Sequence, residues 1–256
     1  MPFSYEITLL IICPLIFLAG FVDSIAGGGG LVSIPTYMLA GLPIHNAYGT
    51  NKFSSCSGTI FSCFNYFKNG KMNVKIGLLG AFAALPGSWL GTLLALHLSD
   101  TILQICLLII LPLVAIFTFT HKAFRQNEKS VQLSNGKTII VALLAGFFIG
   151  GYDGFFGPGT GMFLILIFAS ILHIDLVEAS GTAKVVNLAS NLASMVTFLV
   201  QGKVLFAFAI PAALCSIAGN LVGSKLAIKI GPNFVRPVIA IVAFGLCAKI
   251  VFDLFF

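Results

Sequence analysis

The chain has 256 residues, of which 58% are hydrophobic and 9% charged, with a formal net charge of +6 and a mean hydropathy of +1.06. Soluble domains give about 25% of their residues to Asp, Glu, Lys and Arg, so this chain cannot clothe a globular surface in water. That excludes a soluble enzyme and a nucleic-acid-binding domain, and membrane topology accounts for the positive charge instead.

In chain order, the first apolar run predicts a span over 5–26. Its start, MPFSYEITLL, has no basic n-region and no small-residue cleavage pattern, so a retained span is expected rather than a removed signal. The run then meets GFVDSIAGGGGLVSIP (20–35), which puts Asp23 and the glycines Gly27–Gly30 where a helix would continue. Glycine costs about 1 kcal/mol per residue against alanine in a helix, so a break is predicted, followed by a short segment at 30–43. Spans follow at 47–68, containing GTNK (49–52), at 75–97, containing GSWLG (87–91), and at 101–120. The polar, basic stretch 121–137 reads as a cytoplasmic linker. The second set is 138–156, 160–173, 179–200, 204–229 and 233–254. Its GGYDGFFGPGT (150–160) carries Asp153 and a second break, and its GTAK (181–184) carries Lys184. Continuous apolar stretches such as TILQICLLIILPLVAIFTFT are unlike the alternating strands of an outer-membrane barrel.

Two halves match in order. GFVDSIAGGGG aligns with GGYDGFFGPGT, which sets Asp23 on Asp153. An offset of 132 then brings GTNK onto GTAK, Gly70-Lys71 onto Gly202-Lys203, and GSWLG onto GNLVG (219–223). The expected fold is an all-α polytopic bundle of two repeats, 1–120 and 138–256, joined by 121–137. Each half holds five segments, or four plus a re-entrant hairpin. With five, one side collects Lys68, Lys71, Lys75, Lys122, Arg125, Lys129, Lys137, Lys225, Lys229 and Arg236, against Lys203 on the other. The cytoplasmic side is the basic one, so five passes per half are preferred, with both termini periplasmic. An odd number per half makes the repeats inverted, a common plan for transporters.

Asp23, Asp153, Lys52 and Lys184 are ionisable residues inside spans, and such residues face the bundle interior or a water-filled cavity. Broken backbone at membrane depth is tolerated where protein buries it or where it lines a cavity. Each break also exposes a helix N-terminus, near 30 and 160, whose N–H groups and dipole favour an anion. The predicted site therefore takes a small anion on Lys52 and Lys184. Donors come from Gly28, Gly29, Gly30, Gly159, Thr160 and Gly161, with Thr50, Asn51, Thr182 and Asn187 beside them. Asp23 and Asp153 either carry a coupled proton or pair with the lysines. The purely structural version of that pairing joins Asp23 to Lys52 and Asp153 to Lys184.

Other features have plainer readings. GxxxG at 87–91, 146–150 and 219–223 predicts close helix packing. His45, His97, His121 and His173 fall at span ends. Pro14, Pro86, Pro112 and Pro211 are candidate kinks. Asn65, Asn191, Asn220 and Gln201 are expected to hydrogen-bond between helices, with Asn191 a further candidate for the cavity. Trp89 reads as mid-span packing, and Lys249 with Asp253 as local pairing or snorkelling. The six cysteines (Cys13, Cys56, Cys63, Cys106, Cys215 and Cys247) lie in apolar stretches without metal-ligand spacing, so no metal or cofactor is expected. GGGG is followed by LVSIP rather than GK[ST], which excludes a nucleotide loop. Two in-membrane aspartates raise the alternative of an intramembrane aspartyl protease, but the GxGD half of that signature is missing and the lysines have no part in it. A passive anion channel fits the same features as a carrier.

The motifs GFVDSIAGGGGLVSIP, GLPIHNAYGTNKFSS, GGYDGFFGPGTG and GTAK, in this order, resemble the TauE/SafE-type sulfite exporter family, also called the toluene sulfonate uptake permeases. The resemblance covers essentially the whole chain. It implies a transporter of small sulfur-containing anions in the bacterial inner membrane, in which an ion gradient supplies the driving force. It lends weight to Asp23, Gly27–Gly30, Thr50, Asn51 and Lys52, and to Asp153, Gly157, Pro158, Gly159, Gly161, Thr182 and Lys184. Ala183 stands where Asn51 would repeat and Pro158 where Gly28 would, so an asymmetric site is expected.

Overall fold

The computed structural model describes residues 4–103, 105–106, 109, 135–231, 234–235 and 237–238. Among the described residues all regular structure is helical. The first half supplies α1 (Tyr5–Ala26), α2 (Gly30–Leu39), α3 (Ile44–Lys68) and α4 (Val74–His97). The second supplies α5 (Asn135–Phe155), α6 (Thr160–Ser170), α7 (Leu176–Val200) and α8 (Phe206–Ile230). Helices α1, α4, α5, α7 and α8 are long and apolar enough to cross a membrane. α3 matches α7 at 25 residues, roughly 38 Å of helix, but carries more polar residues. α2 and α6 have 10 and 11 residues, about 15 Å each, half of a bilayer's hydrocarbon thickness.

The short segments end earlier than 30–43 and 160–173 suggest. After α2, Gly41 takes a φ of +85° and the Leu42 N–H turns back to the Tyr37 carbonyl, closing the helix before α3. α5 begins at Asn135, so residues 135–137 of the expected linker are helical. The rest of that linker, with His121, lies outside the described residues, as do most of the spans 101–120 and 233–254, with Pro112, Cys247, Lys249 and Asp253.

Contacts fix the direction of the chain. The Tyr66 hydroxyl near the end of α3 donates to the Ser24 carbonyl near the end of α1, while Ala47 at the start of α3 clusters with Ile12 and Ile16. α3 therefore runs parallel to α1, and α2 returns between them. Between the halves the sense reverses. The α7 backbone at Gly181 packs on Tyr66 and the Lys71 carbonyl, and the α3 backbone at Gly49 packs on Phe198 and the Lys203 carbonyl. α3 and α7 thus lie antiparallel, and these two contacts map onto each other under the offset of 132. Asn65 donates to Ser224, which brings the end of α8, with Lys225 and Lys229, to the Lys68–Lys71 end of α3. Lys203 lies at the other end, where its carbonyl accepts from Asn46.

Lipid offers no hydrophobic drive for helices to associate, so close approach of small residues takes over. The GxxxG stretches do this in matched pairs. Gly87 and Gly91 of α4 abut the Phe147 and Gly151 carbonyls of α5, and Gly219 and Gly223 of α8 abut the Phe17 and Phe21 carbonyls of α1; Gly146 meets the Gly80 carbonyl. The short helices are internal: Ile34 and Tyr37 of α2, and Met162, Ile165 and Phe168 of α6, are fully buried. Trp89 is a correction. It is 51% exposed, on the outer face of α4 with Phe82 and Leu94, because a lipid-facing surface is as apolar as a packed one.

Candidate functional site

The two glycine breaks meet at the centre. Gly27 ends α1 with a φ of +71°, its N–H bonded to the Asp23 carbonyl at 2.8 Å. Its backbone lies against that of Gly161, so a Cβ on either would collide with the other chain segment. A Cβ on Gly30 would sit 3.1 Å from Pro158 Cα. Gly157 and Gly159 take φ values of +93° and +82°, which a residue with a side chain adopts only under strain. α2 starts at Gly30 and α6 at Thr160, where the breaks predict them.

Asp23, Asp153, Lys52 and Lys184 converge beside these breaks, and they pair otherwise than the sequence reading offered. The expected pairs, Asp23 with Lys52 and Asp153 with Lys184, do not form. Lys52 Nζ is 2.7 Å from Asp153 Oδ2, and Lys184 Nζ is 2.7 Å from Asp23 Oδ2. Each lysine crosses to the carboxylate of the other half. The antiparallel crossing of α3 and α7 is the cause: it carries Lys52 toward the end of α5 and Lys184 toward the end of α1.

The two pairs differ in support. Asp153 is side-chain exposed by 3%. It also accepts from the Ser190 hydroxyl at 2.7 Å, and its backbone carbonyl accepts from Lys52 at 2.7 Å. Asp23 is 15% exposed, and its second oxygen receives only the Gly29 N–H at a long 3.4 Å. Taking an ion pair out of water is costly unless further hydrogen bonds complete it, and the Asp153 pair is the better completed. Each carboxylate is bound to a lysine of the other half rather than to the other carboxylate.

The other predicted residues separate into two groups. Around the breaks, the Gly28 carbonyl accepts from the Leu31 N–H, and the Gly29 carbonyl from Val32 and Ser33. Gly159 accepts from the Phe163 N–H, and the Thr160 hydroxyl donates to the Gly157 carbonyl at 2.7 Å. Thr50 and Thr182 also reach across to the opposite half. Thr50 Oγ1 accepts from the Leu205 N–H and Thr182 Oγ1 from the Asn73 N–H, so each threonine holds the N-terminus of a helix in the opposite half. Asn51 Oδ1 accepts from Ser55 and Asn187 Oδ1 from Asn191. The expected inter-helix role holds for Asn65 alone among the four polar candidates; Asn191 and Asn220 bond within their own helices, and Gln201 is exposed at the end of α7. His45 binds Asp100 at 2.7 Å at the bundle surface. Ser190 was not singled out from sequence. Its signal is a polar stripe at helical spacing on α7, Lys184, Asn187, Asn191 and Ser194, into which it falls.

An all-helical bundle with broken helices and buried charges at its centre is the build of a multi-pass transporter. The chain matches the family described as "Sulfite exporter TauE/SafE" over residues 12–250, and it belongs to that family. A protein of Haemophilus influenzae named probable membrane transporter protein is 36% identical, across 93% of this chain and 92% of the relative. The Sinorhizobium probable membrane transporter protein ORF9 is 34% identical across 93% and 90%. The Escherichia coli probable membrane transporter protein YfcA is 32% identical across 92% and 87%. No solved structure matches.

Proposed function

We propose that the protein is a secondary carrier of small sulfur-containing oxyanions, of the sulfite and organosulfonate class, in the bacterial inner membrane. The crossed ion pairs carry the reading. Each ties one half of the bundle to the other through a lysine ammonium and a carboxylate. A sulfite or sulfonate oxygen competes with the carboxylate for the same ammonium, so the anion loosens the tie between the halves as it binds. Ligand binding and rearrangement then share one set of contacts, which is what alternating access needs. Lys52 and Lys184 supply the charge. The donors at Gly28, Gly29, Gly30, Gly159, Thr160 and Gly161, with Asn51 and Asn187 nearby, complete the anion's shell, while Thr50 and Thr182 serve it through the loops they hold.

Charge balance brings in the proton. A monoanion on Lys184 in place of Asp23 leaves one negative charge uncompensated in a low-dielectric site, and a proton on the carboxylate removes it. Inverted halves are supported by the antiparallel α3 and α7 and by the gathering of Lys68, Lys71, Lys225 and Lys229 at one end; that end is cytoplasmic by the positive-inside rule, with the termini periplasmic.

The test is uptake into proteoliposomes across a panel of sulfite, sulfonates and carboxylates, with and without a pH gradient, followed by counterflow. The carrier reading expects preloaded unlabelled sulfite to drive labelled sulfite inward. Flux without counterflow identifies a passive channel, and no movement of any anion under any gradient overturns the reading.

A further inference from the structure

The Asp23 pair borders a small, partly enclosed cavity. It is lined by Asp23, Gly29, Ser33, Ser55, Ser216 and Asn220, among others, and offers about 10 Å³ to the centre of a water-sized sphere. That is room for one water and too little for a tetrahedral oxyanion. Two polar atoms in this lining, Ser33 Oγ and Asn220 Oδ1, are buried without any hydrogen-bond partner, although Ser33 is 2% and Asn220 1% exposed. Asn220 is not simply misoriented, because its Nδ2 already donates to the Ser216 carbonyl at 3.0 Å. Buried polar atoms without partners are costly, so two in one cavity call for a ligand.

In the corresponding place of the other half the matching side chain is satisfied. Asn220 maps onto Ser88, whose hydroxyl bonds to the Ser190 carbonyl and to Ser194. Ser216 maps onto Ala84, and Ser190, which holds Asp153, maps onto Gly58. A Cβ at Gly58 would collide with Ser216 Oγ and Asn220 Nδ2. Glycine in place of serine therefore leaves room for Ser216 and Asn220 and deprives Asp23 of the donor that Asp153 keeps.

We infer that this cell holds a single ordered water that relays the coupled proton to Asp23, so that proton coupling runs through the Asp23–Lys184 half alone. The unsatisfied atoms select the ligand. Asp23 Oδ1 and Asn220 Oδ1 both seek a donor, and Ser33 Oγ can give or accept; a water supplies two donors and an acceptor. A sodium ion would meet the same oxygens, but the Lys184 ammonium, 2.7 Å from the carboxylate, repels it and leaves a neutral water untouched. When the anion takes Lys184, the water takes up a proton from the side on which the cell opens as it gives one to Asp23, so it stays neutral and no hydroxide forms.

This rests on the carrier reading, and the experiment separates the two. If wild-type protein moves no anion of the sulfite, sulfonate and carboxylate panel under any gradient, the carrier reading fails. A high-resolution structure of the full chain in lipid nanodiscs then still tests the cell: ordered density within hydrogen-bond reach of Asp23 and Asn220 supports the water, and a dry cell overturns it. If wild-type protein transports, Ser33→Ala and Asn220→Leu should lower uptake driven by a pH gradient about tenfold, the loss of roughly one hydrogen bond, while counterflow stays within about threefold of wild type. Equal loss of both activities, no loss of either, or uptake driven by a sodium gradient rather than a pH gradient would overturn the inference.

Discussion

The two halves hold the same charges in the same order and use them differently. Asp153–Lys52 is sealed by Ser190 and by a second lysine contact to the backbone carbonyl. Asp23–Lys184 has one long N–H contact in support and a water-sized cell at its side. A duplicated element need not stay duplicated in role: once one copy secures the fold, the other is free to open. The difference comes down to Ser190 against Gly58 and Ser88 against Asn220.

Predictions that break or sharpen this contrast start with the lysines. Lys52→Met strands Asp153 in a fully buried place and should cost about 3–5 kcal/mol of stability. Lys184→Met should cost less, because Asp23 keeps some access to water. Thermal unfolding in detergent compares them, and equal losses would remove the asymmetry. Next, Gly161→Val forces a side chain into the Gly27 backbone and should destabilise by about 1–3 kcal/mol through overpacking, with uptake lost alongside. Ser190→Ala follows, at about 1.5–3 kcal/mol for a hydrogen bond to a charged group less whatever the lysine recovers; its expected signature is a loss of stability with proton coupling retained. The smallest effect is expected of Trp89→Leu on the lipid face, within about 0.5 kcal/mol in the same unfolding assay.

Much of this was legible in the chain. The breaks at Gly27–Gly30 and Gly157–Gly159, the buried charges and the repeat offset all follow from residue types that membranes tolerate only for cause. The ion-pair partners did not. Asp23 with Lys52 and Asp23 with Lys184 leave the same trace in sequence, and only the antiparallel packing of α3 on α7 chooses between them. Thr50 and Thr182 flank the lysines in sequence, and that their hydroxyls also accept from backbone N–H groups in the loops of the opposite half follows only from the packing. Trp89 was unreadable because periodicity vanishes where both faces of a helix are apolar. The cell beside Asp23 left no sequence signal beyond the unlikeness of Gly58 to Ser190.

The central claim is that an oxyanion takes the place of Asp23 on Lys184. Labelled sulfite uptake into proteoliposomes by Lys184→Met, matched for folded protein, tests it most directly. The account predicts a loss of at least about a hundredfold, the scale for removing one member of a buried charge pair at a binding site; undiminished flux would contradict it.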